Sequence, residues 1–384
     1  MRTWAKRLIL GLLAITVICA AAALWKREEI SRLLAVRSLF APDRIVRNFS
    51  NMDAAFLHVP LTTEPGPPLP RAEPIDLPTG ADQWIADRAI TGLVVLRDGA
   101  MTHESYHLGT GAEDQRISWS VAKSFLSLLI GQLVADGTLE LADPVVLHAP
   151  ELLNSAYDGT SLLDVIQMES GVAFDENYFD KDSDINRMGR IIALGGALDD
   201  FTASFTLRDR DPGGAWKYVS IDTHVLGMVV RGATGRSIPD LMTERLLLPM
   251  GIGPASYLTD GVGTAFVLGG LTMRTVDYAR MGLLVQQGGI LSARQIVPDT
   301  WIEESTRASA HTAPGAVGYG YQWWIPADAA PGEVIARGVY GQYVYIDRAS
   351  EVVIAINGAD LQFNAPGVWD DMLGMFRRIA AKDT

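Results

Sequence analysis

Cysteine is nearly absent, with Cys19 the only one in 384 residues. A single thiol excludes an intrachain disulfide, a zinc–thiolate site and an iron–sulfur cluster. Cationic residues are scarce too. Against 45 Asp and Glu stand 32 Lys and Arg, a formal charge of -13, and without a basic face nucleic acid is not an expected partner. The sequence has no internal repeat, no Gly-x-Ser-x-Gly elbow, no phosphate loop and no dinucleotide fingerprint. The α/β-hydrolase and nucleotide-dependent chemistries therefore lack their motifs. His58, His148, His224 and His311 are scattered, so no metal is called for, nor any other cofactor. What remains is an ordinary globular composition, 48% apolar and 20% charged, long enough for one large core or two closely packed subdomains.

The one long apolar run is at the N-terminus. Arg2, Lys6 and Arg7 precede an uncharged stretch from Leu8 to Trp25, after which Lys26, Arg27, Glu28 and Glu29 return to polar sequence. That length is about the minimum for a helix to cross a bilayer. Ala20 to Ala23 supply small residues at a plausible cleavage site, so the stretch is either an uncleaved anchor or a secretory signal. The basic flank after Trp25 favours the anchor. Ile18, before Cys19, is too bulky for lipoprotein processing. On either reading the rest of the chain is exported, to the periplasmic side of the inner membrane or into the periplasm.

From Pro60 to Pro78 the chain is proline-rich and aperiodic, which predicts an extended segment or linker. Ala89 to Leu96 then reads as a strand closed by Asp98-Gly99, a hairpin signal, with a second strand over Met101 to Leu108. Trp119 to Val134 has apolar residues at helical spacing, ending near Gly137. Helices are expected over Asp222 to Ala233, Ile238 to Leu247 and Thr275 to Gln287. Strands follow over Tyr319 to Ile325, Gly332 to Arg337, Gln342 to Asp347 and Val352 to Asn357, with a last helix over Val368 to Ala380. Strands at both ends with helices between suggest an antiparallel sheet flanked by helices, with a mainly helical subdomain inserted.

Ser120-Val121-Ala122-Lys123 opens the predicted helix. Residues three apart share a helix face, so the Lys123 amine can reach the Ser120 hydroxyl. Serine needs an adjacent base, and lysine serves as one only when neutral, which burial favours. A helix N-terminus adds positive potential and free N–H groups for an oxyanion. The bare spacing is unspecific, and a capping serine beside a solvated lysine would match it. The flanking Val121, Ala122, Phe125 and Leu126 make a solvated lysine out of place here. His103-Glu104-Ser105-Tyr106-His107 matches the zinc-protease pattern H-E-x-x-H, but that chemistry needs a helix. On the strand predicted here the histidines stand roughly 13 Å apart.

Several stretches together resemble the β-lactamase-related serine hydrolases, which include class C β-lactamases, DD-peptidases and family VIII-type esterases, and most of all the 6-aminohexanoate-dimer hydrolase branch. They are Asn48-Phe49-Ser50-Asn51-Met52, Ile117 to Phe125, Gln167 to Val172, Tyr218-Val219-Ser220-Ile221-Asp222-Thr223, Gly318 to Trp324, and Gly338-Val339-Tyr340-Gly341-Gln342. The resemblance implies an α/β (α+β) fold of the β-lactamase/transpeptidase-like type. The resemblance covers roughly Val46 to Met375; with the apolar N-terminus and the proline-rich stretch it divides the chain into an N-terminal anchor or signal (1–26), an extended region or linker (27–80) and the hydrolase domain (81–380, helical subdomain about 140–260).

The same resemblance assigns Ser120 as the acylated serine, Lys123 as its base and Tyr218 as a general acid. Ser220 takes the third place of the second motif. Gly338 ends the third motif, with the Val339 and Ser120 amides as oxyanion hole, and Tyr178 is a cleft-loop residue that touches substrate or lies on the surface. Where relatives carry Lys-Thr-Gly or His-Thr-Gly, this chain has Ala336-Arg337-Gly338. That departure weighs against β-lactams and D-amino acid peptides and leaves small ester or amide substrates in front. A catalytically silent, tethered binding protein is the remaining alternative.

Overall fold

A computed structural model describes residues 2–381. The apolar N-terminal stretch forms one exposed helix, α1 (Arg2–Trp25), and after Lys26 a second, α2 (Arg27–Arg37). Leu39, Ile45, Phe49, Met52 and Phe56 then lie buried in the main core. This corrects the expectation for 27–80, whose first half is helical and core-forming. The spacing of four, three and four between Ile45, Phe49, Met52 and Phe56 is that of a helix face, and a short helix occupies Ile45–Phe49. Only the proline-rich half is extended, running on from strand β1 (Leu57–Leu61).

β2 (Ile90–Arg97) and β3 (Ala100–Tyr106) form the expected hairpin, with Asp98 at φ 48° and Gly99 at φ 77°. Positive φ at both positions matches the twist of the flanking strands. β4 (Arg116–Ile117), β5 (Ala255–Thr259) and β6 (Leu271–Met273) join β1 in a small antiparallel sheet, ordered β1-β5-β6-β4. Five further strands extend the first hairpin: β7 (Gly318–Tyr319), β8 (Trp324–Ile325), β9 (Glu333–Gly338), β10 (Gln342–Asp347) and β11 (Val352–Gly358). The resulting seven-stranded antiparallel sheet is ordered β3-β2-β11-β10-β9-β8-β7. The single strand expected over Tyr319 to Ile325 is instead the β7–β8 hairpin, turning where Gln322 takes φ 67°.

Strand alternation divides the core between the two faces of this sheet. Val344, Ile346, Val353 and Ala355 face one cluster, and Tyr343, Tyr345, Ile354 and Ile356 the other. On the first side lie α3 (Val121–Ala135), apolar on every side as a core helix is, and, in chain order, α4 (Asp184–Leu194), α5 (Ser220–Thr234) and α6 (Thr275–Gln286). On the second lies α7 (Val368–Ala380), with Phe376 packed against Tyr343, Tyr345 and Trp84. α6 sits on β10 and β11 at Gly282, where a Cβ would come 2.4 Å from Val353 and 2.8 Å from Val344.

This contact separates two glycine substitutions of the same chemistry. Gly374, on the exposed side of α7, has nothing near a would-be Cβ. Gly374→Ala should raise stability by up to about 1 kcal/mol through helix propensity. Gly282→Ala should lower it by about 1–3 kcal/mol through overpacking. Opposite shifts of the denaturant midpoint check both.

Candidate active site

The Ser118–Ser120 turn places Ser120 at the N-cap of α3. Trp119 has φ 41°, a left-handed conformation that costs a bulky residue about 1–3 kcal/mol. Its ring is fixed by Phe49 at 5.6 Å, Phe40 at 6.0 Å and Tyr340 at 6.1 Å between centroids. The N-terminal segment thus holds the turn that presents Ser120. Among the described residues the Ser120 amide N–H has no hydrogen-bond partner, as the free end of a helix allows.

Lys123, one turn along, is buried, and its Nζ has three neighbours. Ser120 Oγ and Ser220 Oγ are each 3.3 Å away, and the Leu268 carbonyl oxygen is 2.9 Å away. Burial holds the Lys123 pKa down to about 7, while the charges of Glu176 and Asp222 pull it back up. Ser220 Oγ donates to Glu176 Oε1 at 2.5 Å, and its amide N–H donates to Glu176 Oε2 at 2.8 Å. With its proton given to Glu176, Ser220 can only accept from Lys123, as can the Leu268 carbonyl. A neutral amine has two N–H bonds and one lone pair. Both N–H bonds are taken, and the lone pair is left for the Ser120 hydroxyl.

Tyr218 lies beside this pair, its ring centroid 5.5 Å from Lys123 Nζ and stacked on Trp324 at 5.1 Å. Burial and the Glu176 carboxylate push its pKa upward, so it keeps its proton at neutral pH, although Ser120 and Ser220 pull the other way. Deeper in α5, Asp222 accepts from Tyr157 and Ser170 at 2.8 Å each, and burial raises it to about 7. Gln322 binds the β7–β8 hairpin to the helices. Its side chain donates to the Ile166 carbonyl at 2.7 Å and accepts from Thr223 at 2.8 Å, and its carbonyl accepts from Ser124 at 2.8 Å.

β9 passes Ser120 at Gly338, where a Cβ would lie 2.8 Å from the Ser118 carbonyl oxygen and 3.0 Å from the Ser120 nitrogen. Val339 follows in a turn, its N–H unpartnered among the described residues. Gln342 braces that turn through the Tyr340 carbonyl at 3.1 Å and the Gly358 carbonyl at 2.9 Å. A cleft of about 360 Å³ opens over Ser120, bordered by Tyr178, Ser220, Val339 and Tyr340.

Residues 86–371 match the family model described as Beta-lactamase. The chain belongs to the beta-lactamase family. It is 27% identical over 288 residues to the 6-aminohexanoate-dimer hydrolase of Paenarthrobacter ureafaciens, covering 71% of this chain and 73% of that protein. A Bacillus anthracis protein assigned as a 6-aminohexanoate-dimer hydrolase shares the fold at a TM-score of 0.78 and 20% identity, over 89% of this chain and 95% of that one. EstCE1, a hydrolase with promiscuous acyltransferase activity, does so at 0.64 and 17%, over 79% and 97%. The chain is thus a beta-lactamase-related hydrolase with the sheet-and-helix architecture of that group.

At the place where the resemblance led to a third motif with a leading cation, the chain has Ala336-Arg337-Gly338. Ala336 faces the α3 side of the sheet as a methyl group, and Arg337, one residue on, lies against Trp369 at 4.8 Å and Trp324 at 5.5 Å. Strand alternation turns the guanidinium away from the position of Gly338. Tyr178 borders the cleft, and its hydroxyl donates to Glu176 Oε1 at 2.5 Å. Glu176 itself, two residues before Tyr178, has no sequence signal beyond that neighbour, and neither does the Leu268 carbonyl. His103 lies on β3 as expected, with His107 just beyond it. Their rings nonetheless reach Ser105 Oγ from both sides, at 2.9 and 3.0 Å, because alternate residues of a strand share a face.

Glu176 is the largest influence keeping the Lys123 ammonium form accessible. With only six lysines in the chain, carbon-13 lysine NMR can follow Lys123 directly. Its titration is expected near pH 7. In Glu176→Gln, losing the neighbouring negative charge should move the midpoint lower, and a midpoint near the ordinary lysine value would contradict this account.

Proposed function

We propose that this chain is a serine hydrolase cleaving ester or amide bonds of small substrates through an acyl-enzyme on Ser120. The observation that carries the reading is the buried Lys123 amine, 3.3 Å from Ser120 Oγ with Ser220 Oγ and the Leu268 carbonyl as its other neighbours, an arrangement that leaves the lone pair of the neutral amine for the Ser120 hydroxyl. Lys123 takes the Ser120 proton as Oγ bonds to the substrate carbonyl carbon. The oxyanion is held by the Ser120 and Val339 N–H groups. Tyr218, protonated at neutral pH, donates to the departing alkoxide or amine and is reprotonated from Lys123. Water then attacks the acyl carbon, giving its proton back through the same pair, and the acid leaves Ser120 free. No cofactor enters any step. Ser220, Gly338 and Tyr178 border the bound substrate.

Ala336 in place of a lysine or histidine removes the cation that would meet a β-lactam carboxylate, which sets the penicillin-interactive reading second. The 6-aminohexanoate-dimer hydrolase of P. ureafaciens, whose sequence this chain resembles across most of its length, supports linear amides as one substrate class. For α1, we infer an uncleaved anchor with the domain on the periplasmic side. Thr3–Trp25 has a mean hydropathy of 2.6 over its most apolar window, and Lys26 and Arg27 follow it.

A fluorophosphonate probe should give one adduct on the parent and none on Ser120→Ala; no adduct on a folded parent defeats the mechanism and favours a binding role. Because Lys123 acts only when neutral, kcat/KM should fall about tenfold per pH unit below about 7 and level off above it. Tyr218→Phe should lower kcat by about a hundredfold or more, with a larger loss for amides than for activated esters, whose leaving groups need no proton.

A further inference from the structure

The cleft over Ser120 is walled largely by apolar side chains, among them Val36, Leu39, Phe40, Phe179, Ile185 and Met188. Three of these belong to the end of α2 and the turn after it, and two to α4. α2 follows α1 with only Lys26 between, and it is 11 residues long, about 16 Å at helical rise. One short helix therefore connects the candidate membrane span to the wall of the catalytic cleft. Apolar side chains also stay open to solvent along this path: Leu34 is 60% exposed, Phe40 39% and Phe179 71%. Exposed aromatics at the mouth of a cleft next to a membrane helix are placed to meet acyl chains rather than water.

Resting on the hydrolase reading above, we propose that the natural substrate is an ester or amide of a medium-chain acyl group held in the bilayer that carries α1. The acyl chain lies along the α2–α4 wall and its carbonyl reaches Ser120. Hydrolysis breaks the acyl C–O or C–N bond, consumes one water and releases the fatty acid and the alcohol or amine.

The test uses the full chain in phosphatidylcholine vesicles, with acetyl, butanoyl, octanoyl and dodecanoyl 4-nitrophenyl esters and Ser120→Ala as the blank. A fully buried methylene contributes up to about fourfold, so kcat/KM for octanoyl should exceed that for acetyl by at least about tenfold. Phe179→Ser, at an exposed position, should lower the octanoyl-to-acetyl ratio severalfold. A two-chain diacylglycerol, which does not exchange between vesicles, should be cleaved only when it shares the vesicle with the protein. A flat or falling series with Ser120 still turning over the acetyl ester overturns the acyl assignment and leaves the hydrolase reading standing. Equal cleavage of diacylglycerol in protein-free vesicles overturns its delivery from the bilayer. No turnover of any ester, with no fluorophosphonate adduct on Ser120, fails the hydrolase reading itself.

Discussion

Burying one amine organises this site. Taking an ammonium group out of water is expensive and lowers its pKa, and Lys123 is buried with only part of that cost offset by neighbouring charge. The surrounding groups decide what the neutral amine can do. A backbone carbonyl from Leu268 and a hydroxyl from Ser220 occupy its N–H bonds, and Ser220 is itself fixed as an acceptor by Glu176. Glu176 works in two directions. It orients Ser220, which directs the lysine lone pair, and its charge keeps the lysine pKa from falling further. For the base role proposed for Lys123, a pKa near 7 is matched to neutral conditions, and a more thoroughly desolvated amine would be a weaker base.

The second requirement is close approach of backbones. β9 can run beside the N-cap of α3 only because residue 338 has no side chain, and Val339 after it lines the same cleft as Ser120. Two glutamines keep that approach fixed. Gln342 braces the turn after β9, and Gln322 ties the β7–β8 hairpin to α3, α5 and the Ile166 carbonyl. Trp119, strained in the left-handed region, is held by aromatic rings from the N-terminal segment and the Tyr340 turn. The segment between the apolar N-terminal helix and the domain is therefore part of the site's support.

Legibility in the sequence followed range along the chain. Ser120 and Lys123 lie three apart, the Asp98-Gly99 turn is a dipeptide, and β10 runs over the residues expected, Gln342 to Asp347; such signals are local. Glu176 reaches Ser220 across 44 positions and Leu268 reaches Lys123 across 145, and no spacing encodes either contact. Two local signals misled. The alternating aromatics of Tyr319 to Trp324 imitate a strand, although the tertiary bonds of Gln322 force a turn between them. The prolines after Pro60 drew the whole of 27–80 toward an extended reading, while Ile45, Phe49, Met52 and Phe56 kept a helix spacing in plain view. The roles proposed for Ser120, Lys123 and Tyr218 rest on several motifs in order, since each alone has a bland explanation.

The departure at Ala336 and the apolar cleft bear on one question, the charge of the substrate. A carboxylate brought next to Ser120 from the β9 side would lose its water and find a methyl group where relatives offer a cation, an unpaired burial that proteins avoid. The Arg337 guanidinium, stacked between Trp324 and Trp369, would have to abandon two aromatic faces to help, each contact of this kind contributing about 0.5–2 kcal/mol. The cations that do border the cleft, Lys181 and Arg190, come from the loop before α4 and from α4 itself. Any anionic group is thus better met at that wall than beside the strand. Uncharged next to Ser120, apolar along the cleft and, if charged at all, charged near Lys181 and Arg190: these constraints suit the proposed amphiphilic ester or amide better than a β-lactam.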